Sequence, residues 1–71
     1  MKKHVARDIC TLVEEILSQM QTLNNYIIAN CEPSQFAKIT PVLAACVTEL
    51  DIEILEPIHR EYPDLKPAFL T

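Results

Sequence analysis

The fold is decided by residues 5–28, which read VARDICTLVEEILSQMQTLNNYII. Apolar side chains recur in this stretch at alternating steps of three and four residues, the spacing that places them along one side of an α-helix. Because a helix with so broad an apolar side is not stable alone in water, we expect the rest of the chain to cover it. The stripe consists of Ala6, Ile9, Val13, Ile16, Met20, Leu23 and Ile27, and it is widened by Val5, Leu12, Leu17 and Ile28.

The composition favours an all-α fold. The chain contains five prolines and no glycine, and glycine is the default residue for tight hairpins and for turns with positive φ. A fold rich in β-turns would therefore be hard to build. We expect one domain over residues 1–71, and a chain this short buries only about 60% of its unfolded surface. Since 49% of the residues are hydrophobic, a monomer would leave much apolar surface exposed.

The first helix is predicted over about residues 5–30, followed by a corner over residues 31–40. Pro33 disfavours helical geometry at the residue before it, so the helix should end ahead of this position. Thr40 and Pro41 then supply an N-cap residue followed by proline at the first helical position. A second helix, antiparallel to the first, is therefore predicted to begin at Pro41.

This second helix is predicted over about residues 41–61, with a kink near Pro57 because proline lacks a backbone donor and clashes with the preceding turn. Residues 62–71 contain further prolines and are predicted to form an irregular tail. The apolar residues of the tail indicate that it folds back over an apolar groove, and the alternative is that it docks onto a partner. These residues are Leu65, Phe69 and Leu70.

Residues 42–47, VLAACV, are apolar on every side of the second helix. A helix that is apolar all round is buried all round, and one partner helix cannot bury it. We therefore predict that two hairpins form a dimeric four-helix bundle, or that the hairpin binds another protein. The predicted interface residues are Val42, Leu43, Ala45, Cys46, Val47 and Leu50.

The charge distribution argues against nucleic-acid and membrane partners. The net charge is −4, whereas nucleic-acid-binding proteins usually present a basic face. No apolar run approaches the roughly 20 residues that span a bilayer, and the stretch after the basic start is interrupted by charges. We expect a cytoplasmic protein in which Glu49, Glu53 and Glu56 form a solvated face or a docking patch for a basic partner.

One motif in the second helix could bind a metal ion. Glu56 and His59 form a Glu-x-x-His pair, the ligand spacing of four-helix di-iron proteins, and a dimer would supply two such pairs. Two features oppose this interpretation: Pro57 disrupts the helix inside the motif, and Glu15 on the first helix points away from the apolar stripe. We keep a metal-binding bundle as an alternative and expect no resident cofactor.

The cysteines do not indicate catalysis. Cys10, Cys31 and Cys46 lack the spacing of a disulfide framework or a zinc site, so we expect reduced thiols. A nucleophile pair of His4 and Cys10 would lack an orienting third group. The leading prediction is a non-enzymatic protein–protein interaction module: an adaptor, a regulator or a chaperone-like subunit. A non-catalytic subunit of an enzyme fits the same features.

Overall fold

The computed structural model describes residues 1–66, which form an antiparallel helical hairpin without any strand. The first long helix, α1, spans Lys3–Asn30, and the second, α2, spans Pro33–Leu50. A π-helical turn, Asp51–Leu55, leads into the short helix α3, Glu56–Glu61, and a 3-10 turn follows at Pro63–Leu65. Because α1 and α2 pack against each other, the prediction of an all-α hairpin is confirmed for the described residues.

The start of α2 differs from the prediction. α2 begins at Pro33, so the connector comprises only Cys31 and Glu32, and the predicted corner over residues 31–40 is wrong. The helix start is stabilised by the Gln35 side chain, which accepts a hydrogen bond from the Glu32 backbone N–H at 2.9 Å. This is one half of a capping box, and Pro33 occupies the first helical position, where a missing N–H is tolerated. The predicted start at Pro41 is therefore wrong, because Pro41 lies inside α2.

The predicted kink near Pro57 takes the form of a π-helical turn. The Glu56 N–H donates to the carbonyl of Asp51, five residues earlier. Such a turn inserts one extra residue into the helix. In a regular α-helix the ring of Pro57 would clash with the carbonyl of Glu53, and the wider turn just before the proline relieves that clash. The helical path therefore continues through to Glu61 instead of breaking.

The side of α1 that is buried differs from the predicted stripe by a small rotation. Ile16 and Leu23 are 48% and 47% exposed. Cys10 is buried instead and Leu17 is half-buried. The reason is that α1 carries two overlapping apolar stripes about one residue apart, and the other described residues, up to Lys66, cover only one of them. The members of the predicted stripe that are buried are Ala6, Val13 and Ile27.

The buried core lies at the end of the hairpin remote from the connector, which we call the closed end. Lys3 forms an ion pair with Asp64, and the Tyr62 hydroxyl donates a hydrogen bond to the Met1 carbonyl. These two contacts join the start of the chain to residues 62–64 at the closed end. Leu65 packs against this core as predicted for the tail. The closed end consists of Ala6, Cys10, Val13, Leu55 and Ile58. Phe69 and Leu70, also predicted to fold back, lie outside the described residues.

The half of the hairpin next to the connector is open by comparison. All 18 residues of α2 are exposed or half-buried, and none is buried. Ile27 is the one buried residue in the part of α1 that faces this half. The hairpin is also elongated, with principal extents of 45 × 22 × 16 Å. The hairpin therefore has a buried core at the closed end and only half-buried or exposed α2 side chains in the half next to the connector.

Candidate functional site

An exposed apolar strip runs along α1 beside its buried side. Its members recur at steps of three, four and seven residues, so they share one side of the helix. At 3.6 residues per turn this side is rotated by about 90° from the buried one. The strip consists of Val5, Leu12, Ile16, Leu23 and Tyr26, which are 38–66% exposed. The sequence placed Ile16 and Leu23 in the core stripe, and the structure assigns them to this strip.

A second strip lies on α2. Ile39, Val42 and Cys46 follow one another at steps of three and four residues, and all three are exposed. Val42 is 59% exposed and Ile39 is 39% exposed. Ala45 is exposed beside this strip and adds little bulk. A partner helix could therefore approach α2 closely at this point.

The two strips lie on the same side of the hairpin. A shallow groove of about 470 Å³ runs between them, lined by Ile16, Met20, Ala45, Cys46, Glu49 and Leu50. The middle parts of the two strips and the groove between them form one apolar surface, which we call the side face. It consists of Leu12, Ile16, Met20 and Leu23 of α1 and Val42, Ala45 and Cys46 of α2. Glu49 marks its edge on α2.

The seam between α1 and α2 is loosely packed in the open half. A surface cavity of about 440 Å³ lies there, open to solvent, and Leu17, Met20, Leu43 and Val47 contribute to its lining. The described residues therefore leave this part of the seam uncovered.

The predicted interface residues fall into two groups. Four of them are exposed in the hairpin and available to a partner: Val42, Ala45, Cys46 and Val47. Leu43 is half-buried and lines the cavity toward α1, and Leu50 is half-buried against the closed end. These two therefore stabilise the hairpin itself. The prediction from the sequence missed the residues that α1 contributes to the side face. The signal for them was a second apolar stripe on α1, which contains Leu12, Ile16 and Leu23.

The structure does not assemble a metal site from the predicted pair. Glu56 is exposed and His59 half-buried, and both line a polar depression with Asp51, Arg60 and Lys66. Two of these neighbours are cations, which disfavour a bound metal ion. Within residues 1–66, no three side chains of His, Cys, Asp or Glu come together as metal ligands. The geometry of the described residues therefore gives the metal-binding alternative no support.

His59 contacts Cys10 instead of a second ligand. Its Nε2 lies 3.9 Å from the Cys10 Sγ, which joins α3 to α1 at the closed end. Burial, and secondarily the charge of Glu14, raises the pKa of the Cys10 thiol above its ordinary value of 9.0. Since the thiolate is the reactive form of cysteine, a buried thiol with a raised pKa suits packing and does not suit nucleophilic attack. The histidine beside Cys10 is His59, and His4 is exposed.

In the part of the chain that the structure describes, no helix has the length and apolarity needed to cross a bilayer. Comparison with known proteins finds no matching family model, no similar curated protein and no similar solved structure.

Proposed function

We propose that this chain is a non-enzymatic protein–protein interaction module that acts as an adaptor, a regulator or a chaperone-like subunit. It binds through the side face, and two copies pair there to form a four-helix bundle. The observation that supports this function is α2, a helix of 18 residues without one buried side chain. Because a helix of this kind derives most of its stability from tertiary packing, α2 requires a partner surface beyond α1.

The composition of the side face fits an interface core. Leu12, Ile16 and Leu23 are each about half exposed, and burial of one aliphatic side chain contributes about 1.5–3 kcal/mol relative to full exposure. Charged side chains lie at the edge of the face and not at its centre, as Glu49 does. An apolar centre with a polar rim is the usual arrangement of protein–protein interfaces.

The end of α2 adds an electrostatic feature. Glu49, Asp51, Glu53 and Glu56 are all exposed there. A concentration of one charge steers complementary partners and raises association rates more than it raises affinity. We propose that this acidic end orients a protein partner that carries a basic surface, while the side face pairs the two copies.

Sedimentation velocity over micromolar to submillimolar concentrations tests this function. The wild-type protein should sediment as a dimer, and Ile16→Glu, which places a charge in the side face, should sediment as a monomer. Ser18→Glu is the matched control, because Ser18 lies on α1 two residues away, exposed and outside the side face. A wild-type protein that stays monomeric throughout and binds no apolar dye would refute the proposal.

A further inference from the structure

We infer that the side face binds a second copy of this chain in an antiparallel two-fold arrangement, with Lys38 of each copy beside Glu49 of the other. This inference rests on the proposed function and specifies its partner and geometry.

The first observation is the charge pattern of α2. Lys38 is the only lysine or arginine between Arg7 and Arg60. Glu49 follows it by eleven residues, which is about three helical turns, so both lie on the same side of α2 about 16 Å apart along the axis. Both are exposed. At that separation they cannot pair within one helix, and the one ion pair found in residues 1–66 joins Lys3 to Asp64.

A two-fold axis would bring Lys38 of one copy close to Glu49 of the other. If the axis crosses α2 midway between Lys38 and Glu49, the second copy of α2 runs in the opposite direction. Each Lys38 then meets a Glu49, and the ion pair forms twice, as the symmetry of a self-complementary interface requires. The same axis sets Val42 of one copy against Ala45 of the other. A large side chain then faces a small one, which permits close approach of the two helices.

The strip on α1 gives an independent check of this axis. Ile16 and Leu23 are separated by seven residues, and a two-fold axis midway between them would pack each against the other in the second copy. That midpoint lies beside Met20. Met20 lines the same cavity as Leu43 and Ala44, which flank the midpoint on α2. With Thr40 opposite Asn24, the midpoint on α2 lies opposite a point between Met20 and Gln21, which is one residue, or about 1.5 Å, from the midpoint on α1. One axis therefore brings the apolar pair on α1 and the charged pair on α2 into near alignment together.

This coincidence favours a second copy over an unrelated protein. An unrelated partner imposes no requirement that the charged pair and the apolar pair share one midpoint. A two-fold axis parallel to the helices is disfavoured as well. Thr40 lies opposite Asn24, and Glu49 and Glu15 are each nine residues further toward the closed end. With α2 stacked on α1 of the second copy, Glu49 would therefore face Glu15, and like charges in an interface oppose binding.

A charge-swap experiment tests the arrangement. Lys38→Glu and Glu49→Lys should each raise the dimer Kd roughly tenfold, because two favourable pairs become two repulsive ones. The double variant should return to within about threefold of the wild type, since both pairs are restored in reverse. Glu14→Lys is the control: it changes the net charge as Glu49→Lys does, but Glu14 is exposed on α1 outside the side face and outside the acidic end of α2. Circular dichroism verifies that each variant is helical.

Cross-linking of the native cysteines provides a second measurement. In the inferred dimer the two Cys46 residues lie about 8 Å apart along the direction of the α2 helices, and the two Cys31 residues lie about 37 Å apart in the same direction. A short bismaleimide should therefore join Cys46 to Cys46 and leave Cys31 unlinked. A wild-type dimer without rescue in the double variant, or a dominant Cys31–Cys31 product, would overturn this inference and leave the interaction function intact. A wild type that stays monomeric and binds no apolar dye would instead refute the proposed function itself.

Discussion

The Thr40 hydroxyl of α2 donates a hydrogen bond to the Asn24 side-chain oxygen of α1, at 3.4 Å. Both residues are half-buried, and the bond crosses the loosely packed half of the hairpin. A hydrogen-bonded polar pair in an apolar helix–helix seam fixes the register of the two helices, because sliding either helix would break the bond. This bond therefore selects the alignment of α1 with α2 on which the shape of the side face depends.

Replacement of Thr40 by valine should lower the free energy of unfolding by about 0.5–1.5 kcal/mol, since the shape is kept and one inter-helix hydrogen bond is lost. Urea denaturation monitored by circular dichroism measures the change. Thr48→Val is the matched control, because the Thr48 hydroxyl bonds only to the Ala44 carbonyl within α2. An equal loss in both variants would show that the bond to Asn24 does not stabilise the hairpin.

The closed end should respond to loss of a single methyl group and the exposed surface should not. Ile58 is 5% exposed and Ile52 is 48% exposed, and they lie six residues apart. Ile58→Val should lower the free energy of unfolding by about 0.5–1.5 kcal/mol, whereas Ile52→Val should change it by less than about 0.5 kcal/mol. Thermal and urea denaturation measure both. A larger effect at Ile52 would place the core elsewhere.

The sequence predicted the helical class and the hairpin but misplaced the start of α2. Two start signals lie eight residues apart: proline follows Glu32 at the first, and it follows Thr40 at the second. Threonine is the better N-cap residue, and this favoured the wrong signal. The first signal includes Gln35, whose side chain bonds to the Glu32 N–H. Its spacing was visible in the sequence, but its selection depends on the packing of residues 33–40 against α1.

Pro41 should therefore be a source of instability. It lies nine positions into α2, where its ring opposes the preceding turn and one hydrogen bond is missing. Pro41→Ala should raise the free energy of unfolding by about 1–3 kcal/mol, as measured by urea denaturation. Pro33→Ala at the first helical position is the control and should have little effect. If Pro41→Ala destabilises the protein, residues 33–40 do not form a continuous helix with the rest of α2.

The candidate site could be predicted only in part, for a related reason. Val42 and Cys46 were predicted to face a partner, because their segment is apolar on every side. Ile16 and Leu23 were predicted to face the core of the hairpin. Two stripes overlap on α1, and the local sequence does not determine which one contacts α2. That choice depends on the packing of the closed end, where Cys10 is buried and its neighbour Ile9 packs against the same core half-buried.

The ion pair between Lys3 and Asp64 should appear in the pH dependence of stability. The Lys3 hydrogen bond lowers the pKa of Asp64 below its ordinary value of 3.8. Because the pKa of Asp64 is lowered in the folded state, its ionised carboxylate stabilises the fold at pH values above 3.8. This contribution to the free energy of unfolding is lost as the pH falls through the lowered pKa. Asp64→Asn should therefore flatten the acid side of the stability curve below pH 3.8. Asp51→Asn, at another exposed carboxylate, serves as the control, and an identical curve for both variants would contradict the assignment.

The three cysteines should react with iodoacetamide in the order Cys46, Cys31, Cys10. Cys46 is exposed, Cys31 half-buried and Cys10 buried. At Cys10 the raised pKa adds to the lack of access, because alkylation requires the thiolate. Peptide mass spectrometry at successive times measures the three rates, and unfolding in urea should make them similar.

Because Cys46 lies in the side face, its alkylation rate should also fall as the protein concentration rises, while that of Cys31 stays constant. In Ile16→Glu this concentration dependence should disappear, and rapid labelling of Cys10 in the folded protein would contradict its place in the core.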